Sequence, residues 1–96
     1  MNTDQLNKIL EDHKLWISGD GGQRADLQRA DLRKANLRKA DLQGADLCKA
    51  DLREANLRGA KLQRANIQGA NLRNADLHGV TLLDAILDTP TEHEEK

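Results

Sequence analysis

From Ala25 to Thr89 an apolar side chain returns at every fifth residue. Leu stands at 27, 32, 37, 42, 47, 52, 57, 62, 72, 77, 82 and 87, and Ile67 completes the set of thirteen. Ala lies two positions before each of them, except where Val80 replaces it, so the unit reads Ala-Asp/Asn-Leu-x-x. A period of five fits neither regular element. On a helix turning ~100° per residue each Leu would advance by ~140°, and the leucines would circle the helix without forming a stripe. On a flat strand successive Leu side chains would face opposite sides. The pattern is met by a chain that turns a corner once per repeat and points Ala and Leu inward each time. With right-angled corners, four repeats close a coil of about twenty residues, and equivalent positions stack at the ~4.8 Å spacing of neighbouring strands.

Two flanking segments follow other rules. Residues 2–18 carry Leu6, Ile9, Leu10, His13, Trp16 and Ile17 at spacings of three and four, one face of an amphipathic helix. Asn2 or Thr3 can cap its start, and Asn2 with Gln5 has the spacing of a capping box. The run Ser18-Gly19-Asp20-Gly21-Gly22 ends it, because glycine accepts the positive φ of a helix C-cap. Beyond Leu87 the chain reads Asp88-Thr89-Pro90 and then an acidic stretch without an apolar residue. Three segments result: 1–22, a helix and Gly-rich turn; 23–89, the repeat body; and 90–96, a tail expected to be mobile.

The Ala-Asp/Asn-Leu-x-x run resembles the pentapeptide repeat proteins. That resemblance implies an all-β solenoid, a right-handed quadrilateral parallel β-helix, of about three and a quarter coils for this many repeats. The leader, with its Leu-x-x-Ile-Leu-x-x-His-x-x-Trp spacing, also resembles the helix that precedes the repeats in many members. An uncovered first coil would expose Leu side chains and unpaired backbone groups. The helix is therefore assigned as a cap over that coil, through Leu6, Ile9, Leu10, Trp16 and Ile17.

Composition changes the picture in one respect. Aromatic residues make up 1% of the chain, with Trp16 as the one member, while 32% is charged, so the core must pack by repetition of Leu and Ala. The net charge of −1 argues against a polybasic nucleic-acid binder. Its distribution is uneven: the repeat body carries twelve Lys/Arg against nine acids, between two acidic ends.

Candidate chemistry is thin. Cys48 is the single cysteine and forms no Cys-x-x-Cys pair, His13, His78 and His93 lie in three separate segments, and Ser occurs only at 18. No enzyme activity, metal or cofactor is implied. The start lacks a secretory pattern and no apolar run approaches a membrane span, so the expectation is a soluble cytoplasmic protein.

Folding four repeats into each coil turns the surface into ladders. The position after Leu places Arg33, Arg53 and Arg73 on one face and Arg38, Arg58 and His78 on the next, with Gln28, Cys48, Gln68 and Gln43, Gln63 on the remaining two. Asp31, Asp51 and Asn71 flank the first Arg ladder. These Asp and Asn residues are read as corner residues rather than ligands. The Arg ladders are a solvated surface and the candidate contact for an anionic partner. At the carboxy-terminal end Leu82 and Leu87 have no evident cover, and Leu83 and Ile86 are apolar where every earlier repeat has a polar residue or Cys48. These four residues mark a self-association surface and a homodimer through the last coil.

The functional expectation is a non-enzymatic protein-interaction or structural scaffold with its partner open. Mimicry of duplex DNA to modulate a type II topoisomerase is an alternative the resemblance implies, because certain members act in that way. A net-positive body and a rod of roughly 16 Å, less than half a ~34 Å duplex turn, oppose it. Weak polyanion binding through the Arg ladders is the other alternative, opposed by the near-neutral total and the lack of aromatics for stacking.

Overall fold

The computed structural model describes residues 1–88; the predicted acidic tail, 90–96, lies outside the described residues. Its one helix, α1, spans Thr3–Ser18. The capping box forms as its spacing predicts: Asn2 Oδ1 accepts from the Gln5 N–H at 2.8 Å, and Gln5 Oε1 accepts from the Asn2 N–H at 3.0 Å. Gly19, at φ 81°, closes the other end by donating its N–H to the Leu15 and Trp16 carbonyls. The chain then doubles back tightly at Gly22. A Cβ there would lie 2.2 Å from the Asp12 carbonyl oxygen and 2.7 Å from Leu15 Cβ, so only glycine allows this return.

From Asp26 onward the chain winds with a register of twenty residues. Parallel bridges join Asp26 to Asp46, Asp31 to Asp51, Asn36 to Asn56 and so on up to Asn66 and Ile86. Every bridge is isolated, and no extended strand forms among the described residues. The reason is the corner: a turn in every repeat leaves too short an extended piece to pair as a strand. The β character expected of the solenoid is therefore carried by single residues, each stacked on its equivalent twenty positions away.

The local chemistry of each corner explains the motif. The N–H of the Ala that opens the next repeat donates to the carbonyl of the preceding Leu, as from Ala30 to Leu27 at 3.1 Å. The second x residue has φ near +60° to +73°, at Arg29, Lys34, Lys39 and onward, as a type II turn requires. Asp or Asn before Leu completes the corner. In all ten repeats that have one, its Oδ1 accepts from the N–H two residues on, at 3.0 to 3.4 Å.

Between coils the backbone hydrogen bonds have a direction. Leu27 N–H donates to Asp46 O at 2.7 Å, Arg29 N–H to Cys48 O at 2.9 Å, and Asp46 N–H back to Ala25 O at 3.0 Å. Each repeat thus sends two donors and one acceptor toward the carboxy-terminal side. The Ala and Leu side chains fill the interior, and Leu6 of α1 joins this cluster with Ile9 and Leu10 packed against it.

Candidate functional site

The surfaces singled out by sequence fall at three places on the fold: the contact between α1 and residues 25–44, the side faces, and the carboxy-terminal end. At the first, Leu6 is buried and Ile9, Leu10 and Ile17 are half-buried, whereas Trp16 stays 43% exposed. Trp16 stacks on His13 at a centroid distance of 5.3 Å, and its ring covers the Gly44 corner, where an added Cβ would meet it at 3.3 Å.

His13 is the residue that the sequence reading placed on the helix face without a role. It is fully buried, and both ring nitrogens bond to backbone of the repeats. Nδ1 accepts from the Ala25 N–H at 2.9 Å, which leaves Nε2–H to donate to the Gln43 carbonyl at 2.7 Å. This arrangement requires the neutral ring, and burial pushes the His13 pKa down, against the raising effects of the Gln43 carbonyl and of Asp41. Its place on the stripe Leu6, Ile9, Leu10, His13, Trp16 was the available signal.

On the side faces, the stacking expected from the sequence is present. Arg33 binds Asp31 through Nε and Nη2, each at 2.8 Å, and Arg53 binds Asp51 in the same way at 2.8 and 2.6 Å. The hydrogen bond from Arg33 holds the Asp31 carboxyl well below the usual range, and Arg53 lowers Asp51 likewise. This face is largely self-neutralised. Arg73 and Arg38 follow Asn71 and Asn36 and so lack that carboxylate; neither makes an ion pair among the described residues. Arg58 reaches across to Asp76 at 3.1 Å, and His78 Nδ1 lies 2.6 Å from the same carboxylate. The His78 contact, with help from Arg58, pushes the Asp76 pKa down to about 2.

The last described repeats carry apolar side chains at their surface. Leu82, Ile86 and Leu87 are 43%, 49% and 48% exposed, and Leu83 reaches 72%. Leu77, which the sequence reading did not single out, is exposed with them at 42%. Asp88 supplies a carboxylate oxygen to the Gly69 N–H at 2.6 Å, in place of a further backbone carbonyl. Cys48 is half-buried and unpaired, and no group of three or more His, Cys, Asp or Glu among the described residues could hold a metal ion. No described helix is long and apolar enough to cross a membrane.

Comparison with known proteins agrees with this geometry. A family model described as pentapeptide repeats (8 copies) matches residues 23–53, 40–79 and 55–88. Among solved structures, a pentapeptide repeat protein (Rfr23) from the cyanobacterium Cyanothece 51142 is 39% identical with a TM-score of 0.65, over 66% of this chain and 44% of its own. The chain thus spans less than half the length of that relative. The pentapeptide repeat protein alr5209 from Nostoc Pcc 7120 is 32% identical over 88% of each chain, with a TM-score of 0.35. No curated protein matches.

Proposed function

Because the chain belongs to the pentapeptide repeat family, we propose that it is a non-enzymatic scaffold that works by end-on self-association. In this reading it is a right-handed quadrilateral β-helix of about three and a quarter coils, with α1 as the cap on its amino-terminal end. What supports the cap is burial: Leu27, Leu32, Leu37 and Leu42, next to α1, are 0 to 2% exposed. A cytoplasmic location accords with the single cysteine.

The observation that carries the proposal is the contiguous exposure of Leu77, Leu82, Leu83, Ile86 and Leu87 at the other end. Exposed apolar side chains gathered in this way favour a contact that removes them from water. A second copy of the chain offers the same patch, and a two-fold arrangement closes it without leaving a further sticky surface. Side chains must carry such a contact, because the hydrogen-bond direction of the coils works against a shared ladder. The N–H groups of Leu72, Asn74, Leu77, Gly79, Leu82, Asp84 and Leu87 have no backbone acceptor among the described residues. Two such donor-rich edges cannot satisfy each other fully.

Sedimentation of the full chain tests the proposal. The expected result is a dimer at micromolar concentration that the double variant Leu83→Asp, Ile86→Asp converts to a folded monomer. A wild-type monomer at every accessible concentration would reject self-association and leave the family scaffold without this mode of assembly.

A further inference from the structure

We propose that the corner lined by Arg38, Lys39, Arg58, Gly59, His78 and Gly79 is a docking groove for an extended acidic segment of a partner protein. The groove has a volume of about 320 Å³, and no acidic residue lines it. It is independent of the carboxy-terminal contact.

Three features set this corner apart from the neighbouring Arg33/Arg53 face. The first is charge closure. On that face Arg33 and Arg53 are each clasped by the aspartate two residues before them, with Arg73 alone following an asparagine, and Lys34 and Glu54 face each other at 3.9 Å. At the corner Asn36 stands where that aspartate would be. It still accepts the Arg38 N–H at 3.2 Å and so keeps the turn, but it leaves the guanidinium without a carboxylate. The second is the missing side chains. Gly59 and Gly79 stack on each other, a Cβ on Gly79 lying 3.6 Å from the Gly59 nitrogen, and Lys39 lays its Cγ against Gly59 at 3.3 Å from such a Cβ position. A bare floor results, bordered by cations. The third is that the Asp76 carboxylate is committed to Arg58 and His78, which leaves Arg38 and Lys39 as the lining cations without an ion pair among the described residues.

The dimensions and chemistry select the partner. From Arg38 to His78 is two coil steps, roughly 10 Å, the length of about three residues of extended chain. A carboxylate arriving there meets Arg38, whose planar fork binds carboxylates in two-point fashion, and the Lys39 charge beside it. A nucleic-acid strand fits less well. None of the six lining residues is a Phe, Tyr or Trp on which a base could stack.

Fluorescence anisotropy with a labelled Glu-rich decapeptide and a labelled single-stranded DNA decamer, at low and physiological salt, tests this. The peptide should bind wild type, and the double variant Arg38→Gln, Lys39→Gln should weaken it by about fivefold or more. Arg33→Gln with Arg53→Gln removes the same charge from the neighbouring face and should change affinity by less than about twofold. Thermal melts confirm that both variants remain folded, and the Leu83→Asp, Ile86→Asp variant should bind the peptide as wild type does. Equal losses from the two double variants would mean unspecific attraction and overturn the groove. Absence of peptide binding would overturn it as well. Tighter binding of the DNA strand than of the peptide would replace the acidic segment with nucleic acid.

Discussion

The two ends of this solenoid are built from the same repeat and differ in almost every physical respect. Beside α1, Leu27, Leu32, Leu37 and Leu42 are removed from water; in the last described turn their equivalents Leu77, Leu82 and Leu87 are 42% to 48% exposed. Backbone polarity differs too. Among the described residues the end beside α1 presents carbonyl groups, of which Gln43 O is taken by His13, while the last repeats present N–H groups, of which Gly69 N–H is taken by Asp88. A repeat is thus satisfied by whatever lies next to it along the axis, and its own sequence does not decide its burial.

The largest effect that would sharpen this contrast is a core truncation at each end. Leu42→Ala removes a fully buried side chain and should cost about 2–5 kcal/mol. Leu82→Ala, at a position already 43% exposed, should cost less than about 1 kcal/mol in the monomer. Chemical denaturation measured in the Leu83→Asp, Ile86→Asp background separates these values from dimer effects. Equal losses would abolish the distinction between the ends.

Glycine replacements come next. Gly22→Ala drives a Cβ into the Asp12 carbonyl oxygen at the return from α1 and should cost about 2 kcal/mol or more. Gly79→Ala meets nothing closer than 3.6 Å and keeps only its φ of 73° to contend with, so about 1 kcal/mol is expected. Comparable denaturation midpoints for the two variants would remove the tight junction as a special site.

His13 supplies a pH-dependent difference between the ends. His13→Gln should leave the Ala25 N–H or the Gln43 carbonyl short of a partner and cost about 1–3 kcal/mol. Because the folded-state pKa is lowered from 6.5, the unfolded chain binds more protons as pH falls below that value. The stability due to neutral His13 is thus complete above pH 6.5 and is lost as pH falls toward the folded pKa. Hydrogen exchange should show α1 and Ala25 opening first on acidification, with the slope absent in His13→Gln. Uniform opening along the chain would contradict a junction-specific effect.

The smallest change is expected on the side faces. Asp31→Asn keeps the acceptor for the Arg33 N–H and removes an exposed ion pair, so its melting temperature should be indistinguishable from wild type. A resolvable drop would mean that the Arg33/Asp31 clasp supports the coil.

Much of this was legible because the repeat is periodic. The five-residue spacing of Leu excluded helix and strand, and the capping box and Gly-rich exit set the ends of α1 within a residue of Thr3–Ser18. The stacking of Asp31 on Asp51 and of Asn36 on Asn56 followed from four repeats per coil. The positive φ of the second x position was less visible. Gly44, Gly59, Gly69 and Gly79 all occupy it, which was a usable signal, but Arg29, Lys34, Lys39 and Glu54 take the same conformation against their local preference. They do so because the ladder bonds and the Leu column twenty residues away hold the corner.

What the sequence determined by itself is therefore the information contained in one repeat: which side chains face inward, that the chain turns once per repeat, and that Asp or Asn before Leu belongs to the corner. What only the tertiary structure decided is everything that depends on the neighbouring coil. His13 finds its partner at Gln43, thirty residues away, Arg58 finds Asp76 eighteen residues away, and identical leucines are buried or exposed according to what covers them. A period carries local geometry, which repeats; the contacts along the axis are between different residues at each level, and their energies are settled only when the coils stack.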